Sequence, residues 1–127
     1  MRLKWYENYT ENGVDFVKSS SLVCTMAFNP NENHSITLAA ASVMTKAYRD
    51  ANINPKIGGF FGKDAIQAIL DQSDCVGLKF YFAMENGNLT LVLCGAKANQ
   101  DDLYQGVLAE DCFPVPPFNS SSNPLNN

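Results

Sequence analysis

Large apolar residues alternate with small or polar ones from Val76 to Met84 and again from Leu89 to Ala96, on either side of Asn86-Gly87. Asn-Gly suits the two left-handed positions of a type I′ turn, so these runs predict a β-hairpin with a two-residue loop. With that pair at the centre, opposing residue numbers sum to 173. Val76, Leu78, Phe80, Phe82 and Met84 then share one face with Leu89, Leu91 and Leu93. Gly77, Lys79, Tyr81 and Ala83 share the other with Thr90, Val92, Cys94 and Ala96. A slip of one residue would turn every large side chain to the opposite face, so burial of the first face specifies the register.

Upstream the period changes to that of a helix. Ile36, Ala40, Val43 and Ala47 form one stripe, flanked by Ala39, Met44, Tyr48 and Ala51. They predict a helix over about 36–51, with Ser35 or Thr37 able to cap its first turn and Arg49 placed where a cation is favoured. Asn52 to Pro55 ends it. Lys56 to Gly62 reads as a glycine-broken apolar link. A second helix follows over about 62–71, with Ile66, Ile69 and Leu70 on one side and Lys63, Asp64, Gln67 and Asp71 on the other. The hairpin needs a cover for its apolar face, and the two helices can supply it. The expected fold is α+β: an antiparallel sheet built around a 76–84/89–96 hairpin and packed against two helices.

The remaining segments are less regular. Leu22 to Phe28 has the composition of a short strand closed by Asn29-Pro30-Asn31, although a buried helical turn would give the same run. Leu103 to Phe113 fits a short helix or an edge strand. Pro114-Val115-Pro116-Pro117 must be extended. Between Phe113 and Phe118 it has the form of a proline-rich ligand, but a strap packed onto the domain is the preferred reading. Residues 1–113 read as one domain with a variable N-terminal segment, 1–34. Residues 114–127 form a Pro/Ser/Asn-rich tail expected to be mobile at its end.

Composition narrows the class. At 127 residues, 46% hydrophobic and 17% charged, the chain is too apolar for a disordered segment and suits one domain. Its net charge of −4 comes from scattered groups with no basic stripe, so no nucleic acid partner is expected. No apolar run is long enough to span a membrane, and none resembles an intact secretory signal. Cys24, Cys75, Cys94 and Cys112 include no Cys-x-x-Cys pair, which favours free thiols and a cytoplasmic location. The Asn-x-Ser/Thr sequons then read as chance.

Candidate chemistry is sparse. Gly58-Gly59-Phe60-Phe61-Gly62-Lys63-Asp64 resembles a phosphate loop, but Ile57 stands where the first glycine is required and Asp64 where Ser or Thr is. What remains is Gly62 and Lys63 at a helix start, a generic anion site. Lys97 to Asp102 lacks the glycine and the terminal glutamate of a calcium loop. A nucleophilic cysteine needs a base, and the single histidine, His34, is remote in sequence from every thiol. Cys75 and Cys94 share a face in the register above but lie too far apart for a disulfide. Glu110 and Asp111 are adjacent and point apart, so they read as solvated acids. The candidate binding residues are Gly62, Lys63, Lys79 and Tyr81; no catalytic residue, metal or cofactor is assigned.

Several stretches between Ser35 and Leu125 resemble a family of small uncharacterised bacterial proteins. They are Ile36-Thr37-Leu38-Ala39, Phe60-Phe61-Gly62-Lys63, Ile69-Leu70-Asp71-Gln72, Cys75 to Tyr81, Leu91-Val92-Leu93 with Gly95, and Asn123-Pro124-Leu125. The resemblance implies no activity. Many members carry a Cys-Pro-Pro-x-Cys element near the C-terminus. Here the aligned stretch is Val115-Pro116-Pro117-Phe118-Asn119, so both thiols are missing. The outer hairpin face, with Gly77, Ala83, Val92, Cys94 and Ala96 beside Tyr81, makes a poor solvent face. The expected function is therefore non-catalytic, by self-association (a possible homo-oligomer) or binding of a protein partner. The alternative is a small enzyme or an anionic-ligand binder using a Cys thiol or the Gly62-Lys63 helix start.

Overall fold

The computed structural model describes residues 27–127. The elements in chain order are α1 (Leu38–Ala51), β1 (Gly58–Phe60), α2 (Lys63–Leu70), β2 (Gly77–Glu85), β3 (Asn88–Ala96), β4 (Leu108–Ala109) and β5 (Phe113–Val115). They form an α+β fold with two antiparallel sheets, ordered β2-β3-β4 and β1-β5. The strand expected over 22–28 lies outside the described residues except for Ala27 and Phe28, which are irregular.

The hairpin forms in the expected register, from Glu85 opposite Asn88 to Gly77 opposite Ala96. Asn86 (φ 50°) and Gly87 (φ 79°) both sit in the left-handed region that a type I′ turn demands. Of the two structures open to 103–113, an edge strand is what forms. Leu108 and Ala109 pair with Cys94 and Leu93, after a bridge between Ala96 and Asp102. The glycine-broken link contains β1, whose partner is the proline segment: Gly58, Gly59 and Phe60 face Val115, Pro114 and Phe113. The short runs around Gly58-Gly59 and Pro114 carry no alternation, so each gains its strand geometry only from the other.

Thr37, not Ser35, caps α1, its side-chain oxygen accepting from the Ala40 N–H at 3.2 Å. Asn52 closes the helix in the left-handed conformation, its N–H bonded to the Arg49 carbonyl. Gly62 precedes α2 without a side-chain cap.

The core sits where α2 meets the open end of the ribbon. Ile69 and Leu93 are fully buried, with Ala96 and Cys94 close behind. Each large aliphatic side chain so enclosed is worth about 1.5–3 kcal/mol. Gln72, just past α2, ties this end to the following loop. Its Nε2 donates to the Ile69 carbonyl at 2.9 Å, while its Oε1 accepts the Val107 N–H at 2.7 Å.

Of the two helices expected to cover the apolar face, α2 packs on β2, β3 and β4. Helix α1 buries no residue and stands across a groove from the ribbon. The large apolar side chains of α1, Leu38, Val43 and Met44, stay largely exposed and do not close over the ribbon. At the tail, Arg49 donates to the carbonyls of Leu125 and Asn127, each at 2.5 Å. Asn123 and Asn126 bond into the Ser120–Ser121 turn.

Candidate functional site

Two features mark the ribbon, one on each face. On the apolar face, cover by α2 stops halfway. Phe80, Phe82 and Met84 are 60%, 82% and 64% exposed. Between this half and α1 runs a groove of about 410 Å³, lined by Met44 and Tyr48 of the helix, Phe82, Leu89 and Leu91 of the ribbon, and Ile57 and Leu125. A second groove, of about 270 Å³, continues it around the hairpin turn and carries Glu85, Glu110 and Asp111. Lys56, Leu89, Thr90 and Cys112 line both. Lys56 is fixed there by donating from Nζ to the Pro116 carbonyl at 2.8 Å.

At the junction the Thr90 hydroxyl donates to Glu110 Oε1 at 3.2 Å, and its oxygen lies 3.6 Å from Cys112 Sγ. Among the described residues, no three His, Cys, Asp or Glu side chains gather into a group able to hold a metal ion.

On the other face Lys79 and Tyr81, two of the four sequence candidates, converge on Asp102. Lys79 Nζ lies 2.6 Å from Asp102 Oδ1 and also donates to the Gln100 carbonyl at 2.6 Å. The Tyr81 hydroxyl donates to Asp102 Oδ2 at 2.5 Å. The Phe28 ring packs below the ammonium, 5.5 Å from ring centre to Nζ, a cation–π distance. The hydrogen bond from Lys79, then that from Tyr81, holds the Asp102 carboxyl below the ordinary carboxylate range. The same bonds to Asp102 push Lys79 and Tyr81 upward. Each group is thus held in its ordinary charge state near neutrality, which suits a strut better than a proton-transfer site. The strut and Phe28 cover the small-residue face near Cys94 and Ala96. Burial raises the Cys94 thiol pKa.

Asp102 was not a sequence candidate. Its signal is topological: the chain leaves β3 at Ala96, turns at Asn99, and returns opposite Ala96 beside Lys79. Gly62 and Lys63 sit exposed at the start of α2, and no hydrogen bond or groove among the described residues joins them to Lys79 and Tyr81. Cys75 does not share a face with Cys94. Its sulfur lies on the Gly95 side of the ribbon, because Cys75 precedes the strand and the pleat does not set its direction. Cys75, Cys94 and Cys112 are free thiols. No protein-family model, curated protein or solved structure matches the chain.

Proposed function

We propose that the protein acts by binding a polypeptide, either a protein partner or another subunit of its own kind, through the open half of the ribbon. The observation that carries this reading is the row Phe80, Phe82 and Met84, exposed on a strand whose register is pinned by pairing with the buried end of β3. At roughly 200 Å² per ring, Phe80 and Phe82 alone leave on the order of 280 Å² of aromatic surface in water, close to the largest apolar patch a monomer ordinarily shows. The free thiols suit a cytoplasmic setting.

The resemblance to small bacterial proteins belongs to the same proposal. In this chain the stretch aligned with Cys-Pro-Pro-x-Cys has no thiols. The strap is held by β1 pairing and by stacking of Phe113 on Phe60 and Phe118, with ring centres 6.1 and 5.0 Å apart. The test compares wild type with Phe82→Lys by light scattering and by affinity capture from the source cell's lysate. Association in the wild type that is lost in the variant supports the reading. A strict monomer that captures nothing refutes it.

A further inference from the structure

We propose that residues 120–127 are a latch seated in the groove between α1 and the ribbon, and that a partner polypeptide enters by displacing it and taking over Arg49. This names the seat and the competitor for the binding reading above and rests on it. Leu125 lines the groove with Met44, Tyr48 and Leu91 but stays 45% exposed, so it occupies part of the space and leaves about 410 Å³ beside it. Arg49, in the last turn of α1, spreads its guanidinium over two carbonyls: Nη1 donates to Leu125 and Nη2 to Asn127. Beyond Asn119, among the described residues, these are the only hydrogen bonds that tie the tail to the rest of the domain. The others close the tail upon itself. Asn126 Nδ2 donates to Ser120 Oγ, Asn123 Nδ2 to the Ser121 carbonyl, and the Leu125 N–H to Asn123 Oδ1, each at 2.9 Å. A turn that satisfies its own polar groups can leave its seat intact, so one guanidinium and one half-exposed leucine decide whether it stays.

The polar lining of the groove decides what kind of occupant suits it. No Asp or Glu lines it, and both of its cations are turned to main-chain carbonyls, Lys56 to Pro116 at 2.8 Å and Arg49 to the tail. A small free anion would have to win Arg49 from two peptide carbonyls and would bring nothing for the walls formed by Met44, Phe82 and Leu91. A polypeptide turn with a leucine-sized side chain matches both, as the tail does: carbonyls for the planar fork of the guanidinium, apolar volume for the walls. The latch competes from within the same chain, at an effective concentration on the order of millimolar. If it is closed nine-tenths of the time, it weakens the partner's apparent affinity about tenfold.

The probe is a synthetic peptide of residues 119–127, titrated into the full chain while the Met44 methyl resonance is followed by NMR. Leu125→Ser loosens the latch at a half-exposed position, and circular dichroism should show the fold unchanged. The variant should shift the Met44 resonance and bind the peptide roughly three- to tenfold more tightly than wild type. Adding Arg49→Gln should abolish that gain. A Met44 resonance unmoved by Leu125→Ser, equal affinity or none in the two proteins, or full affinity retained with Arg49→Gln overturns the latch. So does a Met44 shift that follows protein concentration and ignores the peptide, which marks a second copy as the occupant. If the latch fails while Phe82→Lys still abolishes partner capture, the polypeptide-binding reading stands. A working latch in a strict monomer that captures nothing refutes that reading, and with it the partner's part in this one.

Discussion

Gly95→Ala probes how tightly α2's end is seated on the ribbon. Gly95 is buried within β3 and faces the same side as Leu93. A methyl group there would lie 2.9 Å from Cys75 Sγ, 3.0 Å from Leu103 Cδ1 and 3.1 Å from Gln72 Nε2. All three are closer than ordinary contact, and no single rotamer change relieves them. Moving Gln72 also pulls on its bonds to Ile69 and Val107, which close the loop over the core. Overpacking of this kind costs about 1–3 kcal/mol, and removing a glycine from the unfolded chain returns about 0.4–1 kcal/mol. The net is a loss of about 1–2 kcal/mol, or a fall in Tm of about 4–8 °C for a domain of this size. Thermal unfolding by circular dichroism measures it. Removing the nearest obstacle should restore part of the loss, so Gly95→Ala in a Cys75→Ala background should cost at least about 0.5 kcal/mol less than alone. A Tm within 1 °C of wild type, or strict additivity of the two changes, would refute the packing argument.

Three further outcomes are expected. Gly106→Ala drives a methyl into Gln72 Oε1, which must then release the Val107 N–H, lowering stability by about 1–3 kcal/mol in urea unfolding. Because Asp102 is depressed in the folded state, its contribution is complete above its unfolded value, near 3.8, and disappears as pH falls through the lower folded value. The stability gap between wild type and Asp102→Asn should therefore be flat above about pH 5 and narrow below pH 4; a gap independent of pH would contradict the strut. Lys79 and Tyr81 are raised, so their contributions persist below their unfolded values of 10.5 and 10.0 and fade as pH climbs through the folded ones. Ultraviolet titration should accordingly find one tyrosine ionising later in wild type than in Asp102→Asn. Finally, Cys94, buried and shifted upward, should react with iodoacetamide more slowly than Cys75 or Cys112 in the native state, as read by peptide mass spectrometry. One thiol reacting far faster than the rest near neutral pH would revive the enzyme reading.

What could be read from the chain alone was whatever local chemistry and periodicity enforce. Asn86-Gly87 dictated the turn, and alternation on both sides of it dictated the register and the two faces of the ribbon. The helical stripes dictated α1 and α2 to within two residues at their starts. The register put Lys79 and Tyr81 together on a face of small residues; that they meet at Asp102 was not legible. That meeting depends on a loop returning across space, and no short-range pattern records it. The β1-β5 pairing was hidden for the same reason, since neither strand alternates.

Tertiary structure alone decided how much of the apolar face is covered. A hydrophobic pattern states which side chains would gain from burial, not whether enough neighbouring surface exists to bury them. Helix α2 brings Ile69 to the ribbon; α1 leaves its own Leu38, Val43 and Met44 exposed. Phe80, Phe82 and Met84 are left in water because burial is a balance of area between elements, which only their placement in space can settle.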